Sequence, residues 1–199
     1  MGGAAQRELS RHHAGMHAPG MQAPRVLSLA EPCLVVLIGA AGAGKSNLAA
    51  RLFPPDAILS SDAFRAVVSG DEADQRATRT AFAILHRELD RRLTQGRTTV
   101  IDATSVTPFA RRGIVRRAAA HGVPAVAIVL DLDPAIVLAR NAARAGRVVP
   151  EHAVRRQLAD LRRSLQPGGL EAEGFAAVHL VRSPAELDSL ALASLAERS

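Results

Sequence analysis

From position 34 the chain runs Leu-Val-Val-Leu-Ile without a polar residue. A short, unbroken apolar run of this kind predicts a parallel strand covered on both faces. Ala57-Ile58-Leu59-Ser60 and Thr98-Thr99-Val100-Ile101, the latter ending at Asp102, predict two more strands. Pro124–Leu132 and Ala176–Val181 predict a fourth and a fifth. The pattern between the runs changes to a helical period. Helices are expected over about 45–52, over 72–95 with Phe82, Leu85, Leu89 and Leu93 on one face, and over 107–120. Two arginine-rich segments follow, at about 134–145 and 151–165, separated by Gly146–Pro150. A closing helix over 184–197 is marked by Ser183-Pro184, an N-cap residue followed by proline. Strands alternating with helices give an α/β fold: a five-stranded parallel sheet flanked by helices, with a helical, arginine-rich lid.

The 199 residues suit one domain with a core of its own. Residues 1–30 are rich in Gly, Ala, His, Pro and Met and lack periodicity, so they read as a mostly disordered tail preceding a domain over 31–199. His12, His13 and His17 in that tail lack acidic or thiol partners, which favours chance composition over a metal site. Cys33, the single cysteine, has no partner for an internal disulfide and reads as a small buried hydrophobe. A reducing cytoplasm is the expected compartment. No apolar run approaches the roughly 20 residues that span a bilayer, and no signal-peptide core is visible. Five Phe are the only aromatics, which argues against a nucleic-acid surface built from stacking platforms.

Net charge is +6, and its placement matters more than its size. Residues 107–163 hold 11 Arg against 4 acids, so the whole excess of positive charge lies in that stretch. Solvated helix faces account for some of these arginines; the cluster suggests a polyanionic ligand.

Of 25 cationic residues one is a lysine, Lys45, and it stands in Gly39-Ala40-Ala41-Gly42-Ala43-Gly44-Lys45-Ser46. This is the G-x-x-x-x-G-K-[ST] phosphate-binding loop, in its required place between an apolar strand and a helix. Glycines at 42 and 44 permit backbone shapes closed to larger residues. The loop amides and the helix N-terminus, continuing through Asn47, are suited to the phosphates of ATP, and the Ser46 hydroxyl to Mg²⁺. A compact ammonium reaches between phosphates where a planar guanidinium is bulkier.

Asp102, at the carboxyl end of an apolar strand, is a candidate support for Mg²⁺, with a helix cap or turn as the alternative. Asp62 follows the second strand and so reaches the same sheet edge as the loop. It could take a proton from an attacking hydroxyl, with Arg65, three residues on, gripping an acceptor phosphate; a capping aspartate with a local ion pair is equally open. Arg140, Arg144 and Arg147 share a face if their helix reaches 147, and could close over ATP to stabilise the transferring phosphoryl; the alternative is a solvent-facing helix.

In order, the motifs are GAAGAGKS, LSSDAFR, a long helix, TTVIDATS, VLDLDP, ARNAARAGR and RSP before the last helix. Over about residues 33–197 this order resembles the 5′-polynucleotide kinase domain of bacterial polynucleotide kinase-phosphatase, an RNA-repair enzyme, and more distantly bacteriophage polynucleotide kinase. The resemblance implies a P-loop kinase that transfers the γ-phosphate of ATP to the 5′-hydroxyl of RNA or DNA. It implies that Lys45 and Ser46 hold ATP and Mg²⁺, that Asp62 is the general base and that Arg65 contacts the acceptor strand. It further implies that Arg140, with Arg144 and Arg147, covers the ATP phosphates and that Asp102 supports the metal. Asn47, Ser105 and Ala139 depart from the family's usual threonine, asparagine and glutamate. A small-molecule kinase acting on a sugar, nucleoside or antibiotic, and an ATP-binding regulatory module without transfer, are the alternatives on the same scaffold.

Overall fold

The fold is that of a computed structural model and is described over residues 25–69, 78–146 and 148–193. Short parallel strands β1 (Val26–Leu27) and β7 (Ala191–Leu192) pair with each other. The main sheet holds β2 (Leu34–Ile38), β3 (Ile58–Ser60), β4 (Thr99–Asp102), β5 (Ala125–Leu130) and β6 (Ala177–Val181), in the order β3-β4-β2-β5-β6, all parallel. The expected five-stranded parallel sheet is therefore present. β2 is central and every residue of it is buried, as its unbroken apolar run requires.

Strand alternation sorts β2 between two hydrophobic layers. Leu34, Val36 and Ile38 pack with α3 (Thr78–Thr94) and α4 (Pro108–Ala120), whose Leu85, Leu89, Leu93, Ile114 and Val115 are buried. Val35 and Leu37 face the other layer, with Leu48 of α1 (Lys45–Leu52), Val137 of α5 (Pro134–Ala142), Val154 and Leu158 of α6 (Glu151–Ser164) and Leu187 of α7 (Pro184–Ser189). Leu89 is wholly buried, and truncating such a side chain to alanine costs about 2–5 kcal/mol.

Helix starts follow local chemistry. The Thr107 hydroxyl accepts from the Ala110 amide (3.3 Å), Asp133 caps α5 through the Ala135 amide (2.7 Å), and Ser183 caps α7 through the Glu186 amide (3.1 Å). Each cap is followed by a proline at the first helical position, where its missing N–H would have no helical partner.

Two helix ends differ from expectation. α5 stops at Ala142, short of 145. The Asn141 amide instead brackets Val149, donating to its carbonyl (2.8 Å) and accepting from its N–H (3.2 Å). This reverses the chain, and Gly146 turns at φ +94°. Arg144 consequently lies beyond the helix and shares no helical face with Arg140, while Arg147 lies outside the described residues.

The closing helix, expected to run to 197, stops at Ser189. Arg51 donates to the carbonyls of Leu187 and Leu190, and the extended chain after Leu190 pairs with Val26–Leu27. Of the expected 1–30 tail, residues 1–24 lie outside the described residues; residues 25–30 are described and include β1.

Candidate functional site

The sheet order places β2 between strands that leave it in opposite directions, with β4 on one side and β5 on the other. In open α/β sheets the crevice at such a switch point, outside the carboxyl ends of the strands, is where ligands bind. There the chain opens a cavity of about 1290 Å³. Among its lining residues are Lys45, Ser46, Asp62, Asp102, Arg140 and Arg144, so six of the residues picked out by sequence meet in one space.

The loop after β2 is held by its backbone. Gly42 and Gly44 stand at φ +89° and +100°, the left-handed region that suits glycine. A Cβ on Gly42 would meet the Val137 carbonyl oxygen at 2.5 Å and Asn141 at 3.0 Å. The loop is thus pressed onto α5. The Gly39 amide donates to the Thr104 carbonyl (3.2 Å), which joins the loop to the segment after β4. Gly44 leads into α1, whose exposed Ser46 and Asn47 stand at the cavity. Helix N-terminal amides and successive loop amides make a concavity suited to anions.

Lys45 is buried, and its Nζ donates to the carbonyls of Gly39 (2.9 Å) and Ala40 (3.0 Å). Burial pulls this ammonium down to about 8; the Asp102 carboxylate opposes the fall and Arg144 adds to it. An anion at the loop would favour the charged form and oppose that depression. Asp102 is buried at the end of β4, opposite Ser60 on one neighbour and Leu37 on the other. The helix that follows it, α4, is capped by Thr107 and not by Asp102. Asp62 lies in the first turn of α2 (Ser61–Ser69), while the Ser60 hydroxyl accepts from the Ala63 amide (3.4 Å) and takes the capping role. The Arg65 side chain lies outside what is described.

Among the described residues, no three His, Cys, Asp or Glu side chains form a metal cage. The Ser46 hydroxyl and the Asp102 carboxylate, both lining the cavity, fit Mg²⁺, which keeps several waters and takes phosphate oxygens rather than an all-protein shell. Gly42 and Gly44 give the cradle that ATP phosphates require.

Three positions were not singled out by sequence. Gln157 of α6 accepts through Oε1 from the Ala41 amide at 2.8 Å, linking the second arginine-rich helix directly to the loop. Asn141, buried on α5, holds Val149 at the cavity. Both are neutral amides beside an apolar helical stripe, and that misplacement was the available signal. Arg111 is wholly buried. Its Nε donates to Glu173 (2.7 Å), its Nη1 to the Ser105 carbonyl (2.8 Å) and its Nη2 to Ser164 (3.0 Å). Ser164 in turn donates to the Val106 carbonyl at 2.8 Å. This network fixes the segment after Asp102 and holds Ser105 at φ +46°, a conformation that asparagine adopts more readily than serine. Nothing in the sequence separates Arg111 from its ten arginine neighbours in the 107–163 stretch.

Together these features define a nucleotide-binding, kinase-like P-loop protein. Residues 34–167 match the family described as AAA domain (AAA_33), and the chain belongs to that family. No curated protein matches the sequence. Among solved structures, one chain of the Pnkp1/Rnl/Hen1 RNA repair complex is similar at 19% identity and TM-score 0.59. That match covers 68% of this chain and 46% of the other, so the present chain spans less than half of that relative. A sugar kinase from Janibacter sp. HTCC2649 is similar at 20% identity and TM-score 0.53, over 77% of this chain and 88% of that one. A structure from the PezAT toxin–antitoxin system of Streptococcus pneumoniae is similar at 14% identity and TM-score 0.53, over 79% and 69%. At these identities the likeness is one of fold. Among the described residues no helix is long and apolar enough to cross a membrane.

Proposed function

We propose that this chain is an ATP-dependent polynucleotide 5′-hydroxyl kinase. The observation that carries the proposal is the meeting of Lys45, Ser46, Asp62, Asp102, Arg140 and Arg144 around one cavity. Donor-binding groups and a candidate base are thus presented to a common space. The order of motifs favours a polynucleotide as acceptor.

Asp62 accepts the proton of the acceptor hydroxyl as its oxygen bonds to the γ-phosphorus of ATP. The bond from that phosphorus to the β,γ-bridging oxygen breaks, and ADP leaves with that electron pair. Lys45 and the loop amides hold the donor phosphates, while Arg140 and Arg144 face the charge spread over the phosphoryl oxygens. Arg65 and Arg147 are assigned to the acceptor phosphate and to the donor side through their positions in the motifs. Ser46 and Asp102 would hold Mg²⁺, directly or through water, and the ion would supply charge neutralisation at the phosphates.

The test is transfer of labelled phosphate from ATP to 5′-OH RNA and DNA oligonucleotides, with nucleosides and sugars in parallel and Asp62→Asn as control. Oligonucleotide labelling that is lost in the control supports the reading. Turnover on sugars or nucleosides alone, or ATP binding without transfer, overturns it.

A further inference from the structure

Phe109 is 91% exposed, on a chain with five aromatic residues in all. It is the second residue of α4 and stands between Thr107 and Ala110, both of which line the cavity. Arg112 and Arg116 follow it at helical spacings of three and seven and are also exposed. Phe109, Arg112 and Arg116 therefore form one exposed face of α4, on a different side of the helix from Thr107 and Ala110 but starting in the same first turn, beside the cavity. Among the described residues neither arginine forms an ion pair; Arg116 rests its Nε on the Arg112 carbonyl of its own helix (3.3 Å). α4 contains no acidic residue. By contrast Arg117, on the inner side of the helix, is paired with Asp90 at 3.3 Å, and Arg111 is buried with Glu173. The helix has satisfied its inward arginines and left the outward two without counter-charges, beside an aromatic ring turned to solvent.

We infer that this face is the track for the acceptor strand beyond its 5′-terminal nucleotide: one base stacks on Phe109, and Arg112 and Arg116 take successive phosphates. The proposal rests on the kinase reading for the identity of the strand, but it concerns binding and has its own readout. An aromatic ring with flanking guanidiniums is the chemistry that holds single-stranded nucleic acid without reading its sequence. Phe109 to Arg116 spans about 10 Å along the helix axis, enough for a base and the phosphates next to it. Scarcity of aromatics argues against an extended stacking platform, and α4 supplies a single exposed ring in its first turn, beside the cavity. A duplex cannot offer an unstacked base, so single strands or recessed ends are preferred.

The test measures binding of fluorescent single-stranded oligonucleotides of 2 to about 12 nucleotides by anisotropy, alongside kinetics of their phosphorylation. In the wild-type protein, affinity should rise with length over the first few nucleotides. Phe109→Ala should weaken longer strands by roughly 5- to 100-fold, leave the shortest acceptor and the ATP KM unchanged, and be rescued by Phe109→Trp. The double variant Arg112→Ala/Arg116→Ala should lower the salt slope of binding by about 1–2. Strand binding with this dependence but without phosphorylation would uphold the face and defeat the kinase reading. Phosphorylation of long strands that is indifferent to all these variants would overturn the face while leaving the kinase reading intact. Absence of strand binding, or loss of self-association in Phe109→Ala as seen by light scattering, would overturn the face, the latter outcome marking it as a protein interface.

Discussion

The two flanks of the glycine-rich loop are built by different means. On the β5 side the loop's backbone is pinned, both by close contact and by side-chain hydrogen bonds. Gly42 leaves no room for a methyl group against Val137 and Asn141, Gln157 occupies the Ala41 amide, and Arg51 holds the carbonyl ends of α7. On the β3 side the site is a matter of side chains. Asp62 comes from the first turn of α2, Phe82 from α3, and the segment after Asp102 is held at a distance by buried Arg111. A donor that is always the same triphosphate can be met by a rigid backbone surface, whereas an acceptor is selected by groups that vary without disturbing the fold. The comparison predicts that substitutions on one flank separate cleanly from those on the other.

The largest effect should come from the acceptor flank. In Asp62→Asn, phosphoryl transfer is expected to fall by about 10²–10⁴ in kcat, the range for removing a general base, with ATP affinity within about twofold of wild type. Single-turnover transfer and calorimetric ATP titration measure the two terms. A matching loss of ATP affinity would show that the flanks are not separable. Lys45→Arg tests the donor flank while keeping the charge. Its guanidinium must fit where Lys45 lies buried against two loop carbonyls. Transfer should fall by roughly 10²–10³, the range for losing one charge-stabilising group, and ATP affinity should fall with it. Near-normal turnover would mean that the loop tolerates a fork-shaped cation and is less rigid than its contacts imply.

The same division governs what could be read from sequence. Leu34–Ile38 and Gly39–Ser46 are contiguous, and their meaning is local: an apolar run with no polar face, then glycines where the backbone must turn. The five main strands and the starts of α4, α5 and α7 were legible for that reason. The ends of α5 and α7 were not. They are set by Asn141 reaching Val149 and by Arg51 reaching Leu187 and Leu190, contacts that leave no mark on periodicity. The β1–β7 pair was hidden because each strand is only two residues long. At the site, Lys45, Ser46, Asp62 and Asp102 were visible as motifs tied to strand ends. Gln157 was not, because its partner Ala41 lies 116 residues away and the contact depends on how α6 crosses the sheet.

Gly42→Ala is the next step down in magnitude. The new Cβ would stand 2.5 Å from a backbone oxygen at a residue with φ +89°, so either the loop or α5 must move. The expected loss is about 2–3 kcal/mol of folding stability, read as a lower denaturant midpoint at unchanged slope. ATP affinity should fall while strand binding is spared. A loss below about 0.5 kcal/mol would mean that α5 yields easily and that the donor flank is no stiffer than the acceptor flank.

The smallest effect is a pH dependence that only the donor flank should show. Burial holds Lys45 at about 8, against an ordinary value of 10.5. Below pH 8 the ammonium is protonated in both the folded and the unfolded chain, and its desolvation weighs fully against folding. As pH rises from about 8 toward 10.5, the folded chain releases this proton first, so the unfolded chain binds more protons and this group's contribution to stability improves. ATP binding has the opposite trend. The triphosphate favours the charged lysine and raises its pKa, so binding takes up a proton once the pH exceeds about 8. Affinity is then fullest below pH 8 and falls above it by at most about tenfold per pH unit. Calorimetry in buffers of different ionisation enthalpy measures the uptake directly, and Lys45→Met should abolish it. Strand binding through Phe109, Arg112 and Arg116 does not involve Lys45, so it should not follow that profile. Parallel pH profiles for the two ligands would mean that Lys45 is coupled to the acceptor as well, and that the boundary between the flanks runs through the lysine rather than beside it.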